Sequence, residues 1–302
     1  ELAKTGHLHS MTTDLDSVRL NFDPHNVWLV DIIIAVIMFG VALDLKTEDF
    51  KRVVQMPKAV FLGLFALFLL FPAVTYVLTR ILNPHPSIAL GMVIVAACPS
   101  GNMSNFITYM ARGNTALSVT ITAVATCVAV VMTPLNISLW GKLNPITAPL
   151  LHQVSLNSTD MLLTVFVILG IPLILGISFA RRFPVWADKL HKPFKALSVA
   201  ALLLIIAIAF AGNFSLFTTF FVVIISAVLP QNALAFAAGY GLSRAARLND
   251  PDTRALTVEL GIHNSALGLT LIFAYFAEHG GAALIAGFWG VWHIVAGLIL
   301  AS

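Results

Sequence analysis

The chain has 302 residues, of which 59% are hydrophobic and only 10% charged, with a formal net charge of +3. Soluble domains carry roughly 25% charged residues, so too few polar side chains exist here to cover a water-facing surface. The mean hydropathy of +0.92 predicts an all-α polytopic membrane protein, because lipid demands that every backbone polar group be satisfied internally. The basic residues show no aromatic interleaving of the kind that binds nucleic acid, so no nucleic-acid partner is expected. Cys98 and Cys127 both lie in apolar stretches and read as small core residues, not a disulfide framework or metal cluster.

Residues 1–26 are polar and lack an apolar core, so they read as an extracytoplasmic segment, neither signal peptide nor span. A bilayer crossing needs roughly 20 apolar residues. Nine segments meet that need, at about 27–45, 59–82, 87–111, 115–140, 159–180, 194–212, 215–242, 253–278 and 281–301. Their ends carry Pro, Gly and charge, as at Asn83-Pro-His-Pro86 and Asn249-Asp-Pro251. With the N-terminus outside and the C-terminus cytoplasmic, 13 of the 17 Lys and Arg fall on the cytoplasmic side, which the positive-inside rule favours. Asp31 and Asp44 stand near opposite ends of the first span, where both are expected to be wet.

The second span holds Phe71-Pro72 and precedes a polar break, Cys98-Pro-Ser-Gly-Asn-Met-Ser-Asn105. The seventh holds Leu229-Pro230 and precedes another, Glu259-Leu-Gly-Ile-His-Asn-Ser265. Pro72 to Ser104 is 32 residues and Pro230 to Asn264 is 34. Five spans separate equivalent helices, so the two halves have opposite topology, which is the inverted-repeat plan of secondary transporters. Interrupted segments at matching positions point to a binding site at the membrane midplane. Ordinary kinks at Pro99, Gly101 and Gly261 are the competing explanation.

Glu259 is the leading candidate residue, since a carboxylate within a membrane segment is costly and is functional by default. Its anion balances one monovalent cation; pairing with Arg254 near the cytoplasmic end is the alternative. Ser104 and Asn105 follow Pro99 and Gly101, where an unwound helix offers side-chain and backbone oxygens that suit a hard cation. Ser118, Thr122 and Thr126 recur every four residues and share one helix face. Ligands and helix–helix hydrogen bonding both remain open for Ser118 and Thr122, whereas Thr126 reads as helix glue. His263, four residues after Glu259, lies on the same face if the helix continues. It titrates near neutral pH or serves as a neutral hydrogen-bond partner.

Taken together, CPSGNMSN (98–105), ALSVTITAVAT (116–126), TPL (133–135), VELGIHNS (258–265) and VWH (291–293) resemble the bile acid:sodium symporter family, in the same order over about residues 30–300. The resemblance implies one transporter domain over 27–302, with nine transmembrane helices in inverted repeats and two broken helices that cross. A core of about 59–140 and 215–301 would move against a panel of about 27–45 and 159–212. It implies a first sodium site at Ser104, Asn105, Ser118, Thr122 and Glu259, and substrate contacts at Asn102, Asn264 and His293. The second sodium site departs from the family pattern: His263 stands where relatives carry Gln in Glu-x-Gly-x-Gln-Asn, and Leu67 stands where they carry another Gln. The family's VWHN is here Val291-Trp-His-Ile294.

These features predict a monomeric symporter in the inner (plasma) membrane, coupling sodium to an organic anion, bile acid-like or a small carboxylate. A proton-coupled or single-sodium carrier and a non-transporting membrane sensor are the alternatives. An enzyme is not expected, because no Ser-His-Asp order or His-Glu-x-x-His motif appears.

Overall fold

The computed structural model describes residues 47–153, 166–190 and 214–302, with scattered positions between 32 and 45, at 163, and between 192 and 200. Among the described residues the named elements are all helices. We number them α1 (Thr47–Gln55), α2 (Pro57–Leu82), α3 (Pro86–Ala97), α4 (Met103–Met110), α5 (Thr115–Leu143), α6 (Ala148–Gln153), α7 (Ile171–Arg182), α8 (Phe214–Ala245), α9 (Asp250–Gly261), α10 (Ser265–Tyr275) and α11 (Gly280–Ala301). The protein is therefore an all-α, multi-pass membrane protein.

Among the described residues, four stretches are long and apolar enough to cross a bilayer unbroken: α2, α5, Thr218–Ala245 of α8, and α11. The expected spans 87–111 and 253–278 each split in two, as α3 with α4 and α9 with α10. The expected span 159–180 contains a π turn, Phe166–Gly170, leading into α7. Spans 27–45 and 194–212, and the segment 1–26, lie outside the described residues apart from isolated helical positions. The charged stretch between the first two spans reads as a loop in sequence but folds as α1. Glu48 and Asp49 occupy its first turn and Arg52 its last, an order that complements the helix dipole. Arg52 Nη1 also donates to Asp49 Oδ1 at 2.9 Å.

α2 carries a π turn, Ala66–Leu70, directly before Phe71-Pro72. Pro72 has no N–H, so the Phe68 carbonyl four residues earlier loses its helical partner. Asn136 of α5 repairs this, its Nδ2 donating to Phe68 O at 2.9 Å.

α3 is the centre of the core. Ile88, Leu90, Met92 and Ile94 are fully buried on successive faces, as expected for a helix apolar all round. α11 approaches it so closely that a Cβ on Gly91 would lie 2.8 Å from the Ala282 backbone. At one end of the bundle the α4–α5 turn is fastened to the start of α9. Asn114 donates from its backbone N to Pro251 O at 2.9 Å and from Nδ2 to Asp252 Oδ1 at 2.7 Å.

Candidate functional site

Two helices break opposite one another. α3 gives way at Cys98 to extended backbone, and α9 gives way at Ile262. The two loose segments pair as an antiparallel bridge between Ser100 and His263. Gly101 N donates to Ile262 O at 3.0 Å, and Asn264 N donates to Pro99 O at 2.8 Å. Unwound backbone within a membrane is tolerated only when its polar groups find partners in the protein. Two further carbonyls are satisfied from neighbouring helices: Thr133 Oγ1 donates to Ala97 O at 2.8 Å, and Asn232 Nδ2 donates to Gly261 O at 2.8 Å. The end of α9 is fixed by packing as well. A Cβ on Gly261 would lie 2.0 Å from the Phe236 ring, so only glycine fits there.

The crossing gathers helix ends of both signs. α4 and α10 begin at it and α3 and α9 finish at it. Helix starts carry partial positive charge and helix ends partial negative charge.

Glu259, in the last turn of α9, is 1% exposed. Its Oε1 accepts from Ser104 Oγ at 2.6 Å, Ser118 Oγ at 2.5 Å and Thr122 Oγ1 at 3.2 Å. Thr122 also reaches Oε2 at 3.2 Å. Asn105 closes the group, its Oδ1 lying 2.8 Å from Ser118 Oγ and 3.3 Å from Thr122 Oγ1. Ser118 has one hydroxyl proton and two acceptors in reach, so it serves only one of them at a time. The residues converge because Ser104 and Asn105 occupy the first turn of α4 while Ser118 and Thr122 lie one turn apart on α5. All five residues expected at the first cation site thus meet in one cluster.

No cationic side chain among the described residues pairs with Glu259. Arg254, the alternative partner in sequence, turns instead to Ala111 O at 3.0 Å. Hydroxyl, amide and carboxylate oxygens around one negative charge form a donor set suited to a hard monovalent cation. Ser100 belongs to the group although sequence reasoning missed it: it is buried, with its Oγ 3.5 Å from Thr122 Oγ1. Its place in the same polar motif as Ser104 was the available signal. Thr126 stands apart, its hydroxyl donating to Thr122 O at 2.8 Å.

His263 shared a face with Glu259 only if the helix continued, and it does not. Because α9 stops at Gly261, the helical register that would have placed His263 on the face of Glu259 does not extend to it. Its ring instead packs 4.6 Å from Phe71 and edge-on to Trp289 at 6.1 Å, centroid to centroid. Neither ring nitrogen has a hydrogen-bond partner among the described residues. Leu67 is fully buried in the π turn of α2.

Of the expected substrate residues, Asn102 and Asn264 are the N-caps of α4 and α10, on the two arms of the crossing. Asn264 Oδ1 accepts from Leu267 N at 3.1 Å, which leaves its Nδ2 as a donor. Asn102 makes no side-chain cap and is exposed. His293 of α11 is 4% exposed. It connects to the crossing indirectly, through Trp289 at 6.4 Å between rings, and no hydrogen bond joins it to either asparagine among the described residues.

The profile of the Sodium Bile acid symporter family matches residues 31–220. The chain is 29% identical over 273 residues to the uncharacterized sodium-dependent transporter YocS of Bacillus subtilis, covering 90% of this chain and 82% of that protein. It is 29% identical over 248 residues to the probable chloroplastic sodium/metabolite cotransporter BASS1 of Arabidopsis thaliana, covering 81% of this chain and 59% of that protein. Against the P3 protein of Bos taurus it is 24% identical over 234 residues, covering 78% of this chain and 48% of that protein. The chain thus spans most of the bacterial relative but only about half to three fifths of the plant and bovine ones.

Proposed function

This chain belongs to the sodium bile acid symporter family, and from that premise we propose that it carries an organic anion into the cell together with sodium, by alternating access. Its family consists of transporters and not enzymes, and its relatives' names support sodium as the coupling ion. The observation that carries the reading is Glu259, a buried carboxylate with no cationic partner among the described residues, met by hydroxyl oxygens from two other helices, α4 and α5.

Sodium is cargo in this reading, held by Ser104, Asn105, Ser118, Thr122 and Glu259, with Ser100 close behind. It neutralises Glu259 and draws α4, α5 and α9 together. The organic anion, bile acid-like or a small carboxylate, then meets the helix starts of α4 and α10, with Asn102, Asn264 and His293 as hydrogen-bonding groups. Nine helices in two inverted halves, the core rocking against the panel, would expose this region to each side in turn. The protein would work as a monomer in the plasma membrane, N-terminus outside.

One observation favours coupling to a single sodium. Among the described residues the oxygen cluster holds one carboxylate, while His263 sits among aromatic rings and Leu67 offers no oxygen. Charge balance at Glu259 is met by one cation.

Purified protein in proteoliposomes tests the proposal, with radiolabelled taurocholate and a series of small carboxylates as probes. Uptake driven by an inward sodium gradient, absent with potassium or choline, and rising with a sodium Hill coefficient near one is expected. Uptake that follows a pH gradient without sodium overturns sodium coupling. Sodium-dependent binding of a probe without flux assigns the protein to sensing instead.

A further inference from the structure

Away from the crossing, one end of the bundle carries a groove of about 690 Å³ between the C-terminal ends of α4, α8 and α11 and the first turns of α9. Three guanidinium groups line it, those of Arg112, Arg244 and Arg254. The one carboxylate side chain that lines it among the described residues, Asp250, is already held by Arg244 at 3.0 Å, so the described lining keeps net positive charge. The Arg112 side chain has no hydrogen bond or ion pair among the described residues, and Arg254 uses one Nη on Ala111 O. The remaining guanidinium donors are free to turn into the groove.

The rest of the wall is apolar yet uncovered. Met110, Tyr240 and Leu300 line it and are 48%, 55% and 53% exposed. Met110 and Leu300 sit in the last turns of α4 and α11, and Tyr240 lies five residues before the end of α8. A cationic rim joined to an exposed apolar wall at the edge of a bilayer matches one kind of molecule in both parts: phosphate against arginine, acyl chain against Met, Tyr and Leu. Arginine suits phosphate because its planar fork donates two parallel hydrogen bonds. Basic pockets between transmembrane helices on the cytoplasmic side bind anionic headgroups for the same reason.

We propose that this groove binds the phosphate-bearing headgroup of an anionic phospholipid, on the membrane face that the Lys and Arg asymmetry assigns to the cytoplasm. The binding is independent of the transport reading, since none of its residues belongs to the oxygen cluster at Glu259. It also ties together the ends of α4 and α9 that lie away from the crossing.

The test places the full chain in nanodiscs of phosphatidylcholine, alone or with a minority of phosphatidylglycerol. Thermal denaturation and the phosphatidylglycerol retained after detergent extraction are measured. Phosphatidylglycerol is expected to raise the melting temperature and to be retained, with retention falling about five-fold in Arg112→Gln and further in Arg112→Gln with Arg254→Gln. Arg112→Gln removes no side-chain hydrogen bond or ion pair within the described residues, so it reads binding more directly than folding. Sodium-dependent stabilisation should be unchanged in it, which separates failure here from failure of the sodium site. Equal melting temperatures in the two lipids, or unaltered retention in the double variant, overturn the proposal. So does an equal rise with inorganic phosphate in phosphatidylcholine discs, which would make the groove a site for the free anion.

Discussion

Ser100 and His263 lie 163 positions apart in the chain and pair as an antiparallel bridge where the two broken helices meet. On one side of this bridge stand the hydroxyls that reach Glu259; on the other, the ring of His263 packs against Phe71 and Trp289. The two strands are held by only two backbone hydrogen bonds.

Replacing Glu259 with Gln keeps its size and removes its charge. Sodium affinity, read as sodium-dependent thermal stabilisation, should fall at least roughly 100-fold, or ~2.7 kcal/mol, while melting without sodium is kept. Undiminished sodium stabilisation in this variant would remove Glu259 from the site.

Ser118→Ala deletes one of several neutral oxygens, so its effect should be smaller. The net value of such a bond, about 0.5–1.5 kcal/mol, corresponds to a roughly 2- to 13-fold weaker sodium response. Ser100→Ala should fall toward the low end of that range, because its hydroxyl makes only a long contact, 3.5 Å, to Thr122 Oγ1. A larger loss in Ser100→Ala than in Ser118→Ala would reverse this ranking.

Gly261→Ala drives a methyl into the Phe236 ring. Overpacking of this kind costs about 1–3 kcal/mol and should lower the melting temperature. Adding Phe236→Ala should restore part of that loss. A single variant as stable as the parent would show that α9 can shift its end without penalty.

Asn136→Leu leaves the Phe68 carbonyl unpartnered beside the π turn. A buried orphan of this type costs about 1–3 kcal/mol, again measurable as a lower melting temperature. Wild-type stability in this variant would mean that Pro72 leaves nothing at Phe68 to be repaired.

His263→Gln alone should leave the sodium Hill coefficient of uptake near one, because Leu67 still lacks an oxygen. Combining it with Leu67→Gln supplies two amide oxygens and should raise the coefficient. Strong cooperativity in the unaltered protein would contradict single-sodium coupling.

How well the sequence announced this arrangement depended on periodicity. Ser118 and Thr122 were legible because α5 is continuous, and four-residue spacing then places hydroxyls on one face. Glu259 was legible as charge in an apolar segment, and the two breaks as matched clusters of Pro, Gly, Ser and Asn. The shared face of Glu259 and His263 was conditional on an unbroken helix, and α9 ends between them, so the four-residue offset carries no meaning there. The Phe236 ring that packs against Gly261 at this end lies 25 residues away on another helix. Ser100 was missed for a related reason, since extended backbone has no helical repeat to read. Asn136 and Asn232, which satisfy carbonyls freed elsewhere, carry no local mark of that duty.

The hydroxyls around Glu259 carry one further consequence. In the structure they point protons at a carboxylate, but a cation needs their lone pairs. On ion entry a hydroxyl can turn a lone pair toward the cation by rotating about its C–O bond, which moves the proton and leaves the oxygen in place. Ion loading would then be nearly silent to methods that locate heavy atoms and plain to those that sense O–H orientation. Difference infrared spectra of Glu259 and its neighbours, recorded with and without sodium, would show the carboxylate stretch and the serine and threonine O–H bands moving together.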